Sequence, residues 1–381
     1  MKSACCAWIL VACFIASAAW SSRLQAGEPS PASVRGFESS IQSWFDSEKI
    51  VGAQVIAGTT DRIYFEKNLG VRSVADTSPV DEDTLFCIGS CSKPIASALI
   101  LTMVAEGMLK LDEGIDHTLP AYGNLKTDEG ASARAPTLRE LLCHRSGIYS
   151  QKKGMKAQQA VWIRNFNLTL ADAVSKIAQE PLRSLPGEEY AYSGAGYCVI
   201  GRVAEVVAEK DFDSLLQERI CKPLALKRTT YFPDPASDAI ATGSFRGKPN
   251  PQTPHHFDPF NLPLIGGSLY TTSTDAAKFL AMVLSRGTSG QDVLLSESMF
   301  DEYVGQQVPG QTYGLGWSLR LKDGKTAAVS HTGALASGRA VFMVDFEAGR
   351  YAAVLYTLGE VSRSDSAGRA IGQLVKTFLS R

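Results

Sequence analysis

In the stretch FCIGSCSKPIASALILTMV, running from Phe86 to Val104, a serine and a lysine stand three residues apart, Ser90 and Lys93. On a helix, positions i and i+3 share a face, so the hydroxyl and the amine become neighbours aimed the same way. That is the arrangement of a nucleophile beside its base, and equally of an N-cap serine followed by a solvated lysine. A second match, Ser150 with Lys153 in SQKK, shows how little the spacing says alone. Ordinary residue usage gives roughly one or two such matches by chance in a chain this long. Context separates the two. Ser150 sits in a polar loop, whereas Ser90 follows a glycine and opens an apolar helical run with Pro94 in its first turn, where the missing N–H costs least. A helix N-terminus favours negative charge at Ser90 and disfavours a proton on Lys93, which suits the amine to taking one.

Two further stretches bear on the choice. LPGEEYAYSGAGYCVIGRVAE carries Tyr192-Ser193-Gly194, and VSHTGALASG carries His331-Thr332-Gly333, followed by Ala334, at the end of a strand pattern. In this order and spacing the three elements resemble the serine β-lactamase and penicillin-binding protein superfamily, with its S-x-x-K, Y-x-N and K-T-G or H-x-G motifs. The likeness is nearest to the branch of class C β-lactamases, D-alanyl-D-alanine carboxypeptidases and esterases. TLRELLCHRSGI, GMLKLDEGI, GGSLYTTSTDAAKFL and YGLGWSL extend it over nearly the whole chain after the leader.

The resemblance implies that Ser90 is the nucleophile, with Lys93 and Tyr192 sharing proton transfer; a tyrosine near an ammonium can have a lowered pKa and act as base or relay. The resemblance also implies that the backbone N–H groups of Ser90 and Ala334 meet the developing oxyanion, and that Gly333 keeps the strand edge open to substrate. Two departures from the family pattern stand out. Gly194 replaces the usual Asn, so the side-chain amide that helps hold a substrate amide is missing. His331 replaces the usual Lys, and a histidine is a weaker, pH-dependent partner for a substrate carboxylate; Lys325-Thr326-Ala327 is a near miss that lacks the glycine. Both changes count against β-lactamase activity and leave generic acyl transfer intact.

Other residues read more plainly. His255-His256 beside Pro254 has no third ligand at recognisable spacing, so a loop is expected rather than a metal site. His144 is expected to order a turn, and Tyr190 to pack beside Tyr192. No G-x-S-x-G elbow, P-loop or dinucleotide fingerprint occurs, and no cofactor is expected.

Ahead of these residues, VGAQVIAGTTDRIYFEKNLGVRS reads as an alternating strand hairpin. Helices and loops dominate the middle. The last eighty or so residues return to period-2 runs, GLGWSLRL, TAAVSHTG, GRAVFMVDF and YAAVLYTLG, closed by an amphipathic helix in SAGRAIGQLVKTFL. Strands at both ends with helices between predict an α/β (α+β) fold: one antiparallel sheet built from both termini and flanked by helices, with a mostly helical second lobe. The expected division is a sheet lobe over about 34–100 and 300–381 and a helical lobe over about 101–299, the site lying between them.

The chain has 381 residues, 45% hydrophobic and 20% charged, with a net charge of −1 that offers no field for nucleic acid. Residues 1–26, with an uncharged apolar run from Ala4 to Trp20, read as a secretory signal peptide; a lipoprotein box ending at Cys13 or an uncleaved anchor are the rival readings. Removing it takes Lys2 and Arg23 from the 38 basic residues against 39 acids, so the net moves to −3. Five cysteines follow it, Cys87, Cys91, Cys143, Cys198 and Cys221, an odd and scattered set that implies no disulfide framework. The expectation is an exported serine hydrolase, periplasmic or secreted, acting through an acyl-enzyme on small-molecule or peptide substrates, esters before D-amino-acid peptides before β-lactams. The alternatives are a D-alanyl-D-alanine carboxypeptidase or β-lactamase proper, and a non-catalytic sensor or scaffold that binds cell-wall fragments.

Overall fold

The computed structural model describes residues 29–151, 154–360 and 366–380, so the leader and Lys153 of the second Ser-x-x-Lys match lie outside the described residues. Strands β1 (Ile50–Gly58) and β2 (Ile63–Gly70) come from the N-terminal part. Strands β3 (Ser318–Lys322), β4 (Lys325–Leu335), β5 (Gly338–Asp345) and β6 (Arg350–Leu358) come from the C-terminal part. They form a six-stranded sheet in the order β3-β4-β5-β6-β1-β2, antiparallel at every pairing. The two halves of the sequence meet where β6 pairs with β1, with Val55 opposite Val354. This is the mixed α/β arrangement expected from the pattern of strands and helices.

Both β6 and nearly all of β1 are buried on two faces, whereas β2, the edge strand, alternates. The hairpin therefore departs from simple alternation in its first arm, because a strand covered on both sides reads as a near-continuous apolar run. Its one buried amide is satisfied: Gln54 Nε2 donates to Asp81 O (2.6 Å) and Oε1 accepts from Ser273 N (2.8 Å).

The helices that position the site are α1 (Pro31–Ser47), α2 (Ser92–Ala105), α3 (Leu138–Leu142), α4 (Leu170–Ile177), α5 (Gly194–Ala208), α6 (Ser273–Leu284) and α7 (Ser366–Leu379). On one face of the sheet α1 packs against α7, with the Phe37 and Phe378 rings stacked at 4.1 Å and Trp44 Nε1 donating to Ala367 O (3.1 Å). The other face carries the larger core, to which α2, α4, α5 and α6 contribute. Helix α2 is buried along its length from Ser92 to Met103, the signature of a helix enclosed on all sides. No helix among the described residues is long and apolar enough to cross a membrane.

Candidate active site

Three segments converge: the turn ahead of α2, the loop ahead of α5, and the end of β4. The turn, Gly89–Cys91, is a single 3₁₀ turn, and the α-helix proper starts at Ser92. Ser90 is therefore not the helix cap. Cys91 holds that position and makes no side-chain capping bond, while Ser92 Oγ donates to Gly89 O (2.6 Å) and accepts from Leu269 N (3.2 Å).

Two glycines let the turn and the strand lie backbone against backbone. A Cβ on Gly333 would stand 1.8 Å from Ile88 O, and one on Gly89, whose φ is +54°, would stand 2.3 Å from Ala334 N. Glycine is required at both positions. The result is that the Ala334 amide sits beside Gly89, the residue before the half-buried Ser90, with Thr332 and Ala334 exposed along the same strand and Gly333 buried.

Lys93 is 1% exposed, which removes the reading of a solvated side chain. Its Nζ donates to Ser90 Oγ (3.2 Å) and to Gly266 O (2.7 Å), and lies 4.7 Å from the Tyr192 ring centre and 5.1 Å from that of Tyr197. A side chain at Gly266 would crowd this amine, since its Cβ would lie 2.9 Å from Nζ.

Burial pushes the Tyr192 phenol well above its ordinary range, and a hydrogen bond with Ser90 only partly pulls it back. This corrects the expectation of a tyrosine lowered by the neighbouring ammonium. The side chain stands at the site as a neutral phenol, suited to giving or relaying a proton rather than starting as a phenolate. Its loop is held from beneath by His144, whose ring lies 4.3 Å from that of Tyr192, whose Nδ1 accepts from Ser193 N (3.2 Å) and whose carbonyl accepts from Ala191 N (2.8 Å). Tyr190 packs on His144 and Tyr313, each at 6.0 Å between ring centres, the same two rings that flank Tyr192.

Both nitrogens of His331 are engaged inside the protein. Nδ1 faces Thr332 O at 2.8 Å and so donates to it, and Nε2 is hydrogen-bonded with the Tyr313 hydroxyl at 2.9 Å. The ring is 5% exposed and lies 6.4 Å from that of Tyr192. It is a built-in part of the wall.

Gly194 opens α5, and its N–H donates to Gln151 Oε1 at 2.6 Å. A Cβ at position 194 would lie 2.5 Å from Gln151 Nε2. The space vacated by the missing asparagine is thus occupied by another amide, delivered from a loop 43 residues earlier. Nothing in the spacing of Tyr192-Ser193-Gly194 announces Gln151. Tyr313, Tyr197 and Gly266 were equally hidden, although YGLGWSL and GGSLYTT, which contain or adjoin two of them, stand out in the sequence.

The remaining candidates are structural. Burial raises the thiols of Cys87 and Cys198 to about 12 and that of Cys143 to about 11; Cys91 and Cys221 are also raised, and all five are free and buried. His255 bonds to Tyr270 OH (2.9 Å) and Thr242 Oγ1 (3.1 Å), and His256 to Asn250 O (2.9 Å). Among the described residues no group of three or more His, Cys, Asp or Glu is placed to hold a metal.

Residues 37–376 match the family model described as Beta-lactamase. The chain is 25% identical over 322 residues to the esterase EstB of Burkholderia gladioli, covering 76% of this chain and 81% of that protein. It is 24% identical over 288 residues to the D-alanyl-D-alanine-carboxypeptidase/endopeptidase AmpH of Escherichia coli K12, covering 69% of each. Among solved structures, EstCE1, described as a hydrolase with promiscuous acyltransferase activity, superposes with a TM-score of 0.76 at 20% identity over 91% of this chain and 99% of that one, a likeness of fold.

Proposed function

The chain belongs to the β-lactamase family, and from that premise we propose that it is an exported serine hydrolase working through an acyl-enzyme on Ser90, with simple esters as its best substrates. The observation that carries the reading is the buried Lys93 amine bonded to Ser90 Oγ at 3.2 Å. Export rests on the apolar leader.

The chemistry runs in two halves. Ser90 Oγ attacks the substrate carbonyl carbon while its proton passes to Lys93 Nζ, and the N–H groups of Ser90 and Ala334 receive the oxyanion. The bond to the leaving group breaks as Tyr192 gives that group a proton, and Tyr192 regains one from Lys93. Water then attacks the acyl-serine by the reverse route, releasing the acid and restoring Ser90.

Substrate order follows from the His331 end of the site. An alkoxide or phenolate departs with less protonation than an amine, so an ester asks less of Tyr192. With both His331 nitrogens engaged internally, position 331 offers a substrate carboxylate less than the lysine that usually stands there. The Gly194 end no longer argues the same way, because Gln151 returns an amide to that position. The Gln151 amide also favours turnover over the competing reading of a sensor that binds without it. The test is kcat/KM for p-nitrophenyl butyrate, nitrocefin and a D-Ala-D-Ala peptide on one preparation. Esters should lead, and nitrocefin ahead by tenfold or more, about 1.4 kcal/mol in transition-state binding, would make β-lactamase the better name.

A further inference from the structure

Past Ala334, at the end of β4 away from His331, lies a cavity of about 370 Å³ lined by Arg164, Phe166, Phe257, Arg339 and the segment 334–336. We propose that this cavity is the acyl-side subsite and that it takes an acyl group ending in a carboxylate, as in a half-ester of a dicarboxylic acid. The inference rests on the acyl-enzyme reading above.

Direction comes first. The leaving group departs toward its proton donor, Tyr192, whose ring lies beside His331. From His331 to Leu335 the strand spans about 13 Å at 3.3 Å per residue, and Ala334 lies between, beside Gly89, the residue before the nucleophile. An acyl group held with its oxygen at Ala334 and its leaving group toward Tyr192 therefore extends along the strand into the cavity.

Chemistry comes second. Among the described residues lining the cavity two are arginines and none is acidic. Arg339 stands directly across the ladder from Ala334, so the cation and the oxyanion amide are cross-strand partners. It is 7% exposed, and its Nη1 donates to Ala336 O (3.0 Å) and Gly338 O (2.8 Å), which fixes the guanidinium before any ligand arrives. Arg164 enters from the helical side and is exposed, so it can adjust to a ligand. The rings of Phe166 and Phe257, 5.1 Å apart edge to face, give the cavity apolar walls suited to methylene groups. Guanidinium forks match carboxylates in shape as well as charge. An apolar stem with an anionic end satisfies all of these features together.

The experiment compares mono-p-nitrophenyl glutarate with p-nitrophenyl valerate, esters matched in length, on the full chain. The glutarate should be favoured in kcat/KM by at least tenfold, the usual worth of a charge-assisted hydrogen bond. Because Arg164 is exposed, the preference should shrink as salt is added. It should fall toward unity in Arg164→Ala and reverse in Arg164→Glu; Arg339→Lys, which keeps the charge and loses the fork, should fall between. Equal rates for the two esters at low salt, or a preference that survives every variant, overturns the subsite. If neither ester turns over, the hydrolase reading has failed instead, and calorimetry with free glutarate decides the cavity alone: binding abolished by Arg164→Glu upholds it, and no binding at millimolar glutarate overturns it.

Discussion

Tyr192 is the residue whose role changes most once its surroundings are known, because burial holds it as a neutral phenol beside Ser90 and Lys93. Tyr192→Phe keeps the ring and removes the transferable proton, so kcat should fall by about 10² or more, the usual range for a general acid or base. Unchanged turnover would take Tyr192 out of the mechanism. Gln151 gives a second expectation, because its amide and a side chain at 194 cannot share one space. Gly194→Asn alone should push the Gln151 amide aside at a cost of about 1 kcal/mol, the worth of the hydrogen bond to the Gly194 N–H, and the double variant with Gln151→Ala should cost no more than Gln151→Ala alone. Denaturant midpoints for the four proteins of the cycle check this, and strictly additive costs would show that the two positions do not compete. Ser90 and Lys93 were legible because their relation is local, one turn of chain. Gln151 was not, since its meaning depends on an absent side chain 43 residues away.

At the scale of elements, the site exists because β4 can lie against the turn that carries Ser90. Gly333→Ala would set a methyl 1.8 Å from Ile88 O, so the strand must shift away and carry Ala334 with it. We expect kcat/KM to fall by at least 10², the cost of losing one oxyanion donor, with a lowered melting temperature alongside. A variant with full activity would mean that Ala334 is not needed where it stands. The strands were readable from alternation where one face meets solvent, as in β2, and from continuous apolar runs where both faces are covered, as in β6. Helix starts were less readable. The run from Phe86 reads as one helix headed by Ser90, but Gly89 with its positive φ and the tight packing of Ile88 against Gly333 bend its first residues into a separate turn.

Over the whole molecule, a sheet closed by strands from both ends makes the site depend on long-range contacts that no single stretch encodes, such as Lys93 with Gly266 across 173 residues. One such contact predicts acid sensitivity. His255, buried against Tyr270 and Thr242, has its pKa lowered to about 3 by burial and by His256, against 6.5 for a free histidine. The folded state therefore binds fewer protons than the unfolded one between these values, so the contribution is complete above pH 6.5 and lost as pH falls toward 3. This residue alone should remove about 3 kcal/mol of stability between pH 7.5 and 4.5, and His255→Gln should flatten that slope; a slope unaltered in the variant would assign acid lability elsewhere. Turnover through Ser90 requires that its hydroxyl become acylated, which intact mass after exposure to a fluorophosphonate or an activated ester reads directly. We expect a single adduct on the wild-type chain, mapped to Ser90 and absent from Ser90→Ala; an adduct that persists in Ser90→Ala, or none on the folded wild type, would show that Ser90 is not the nucleophile.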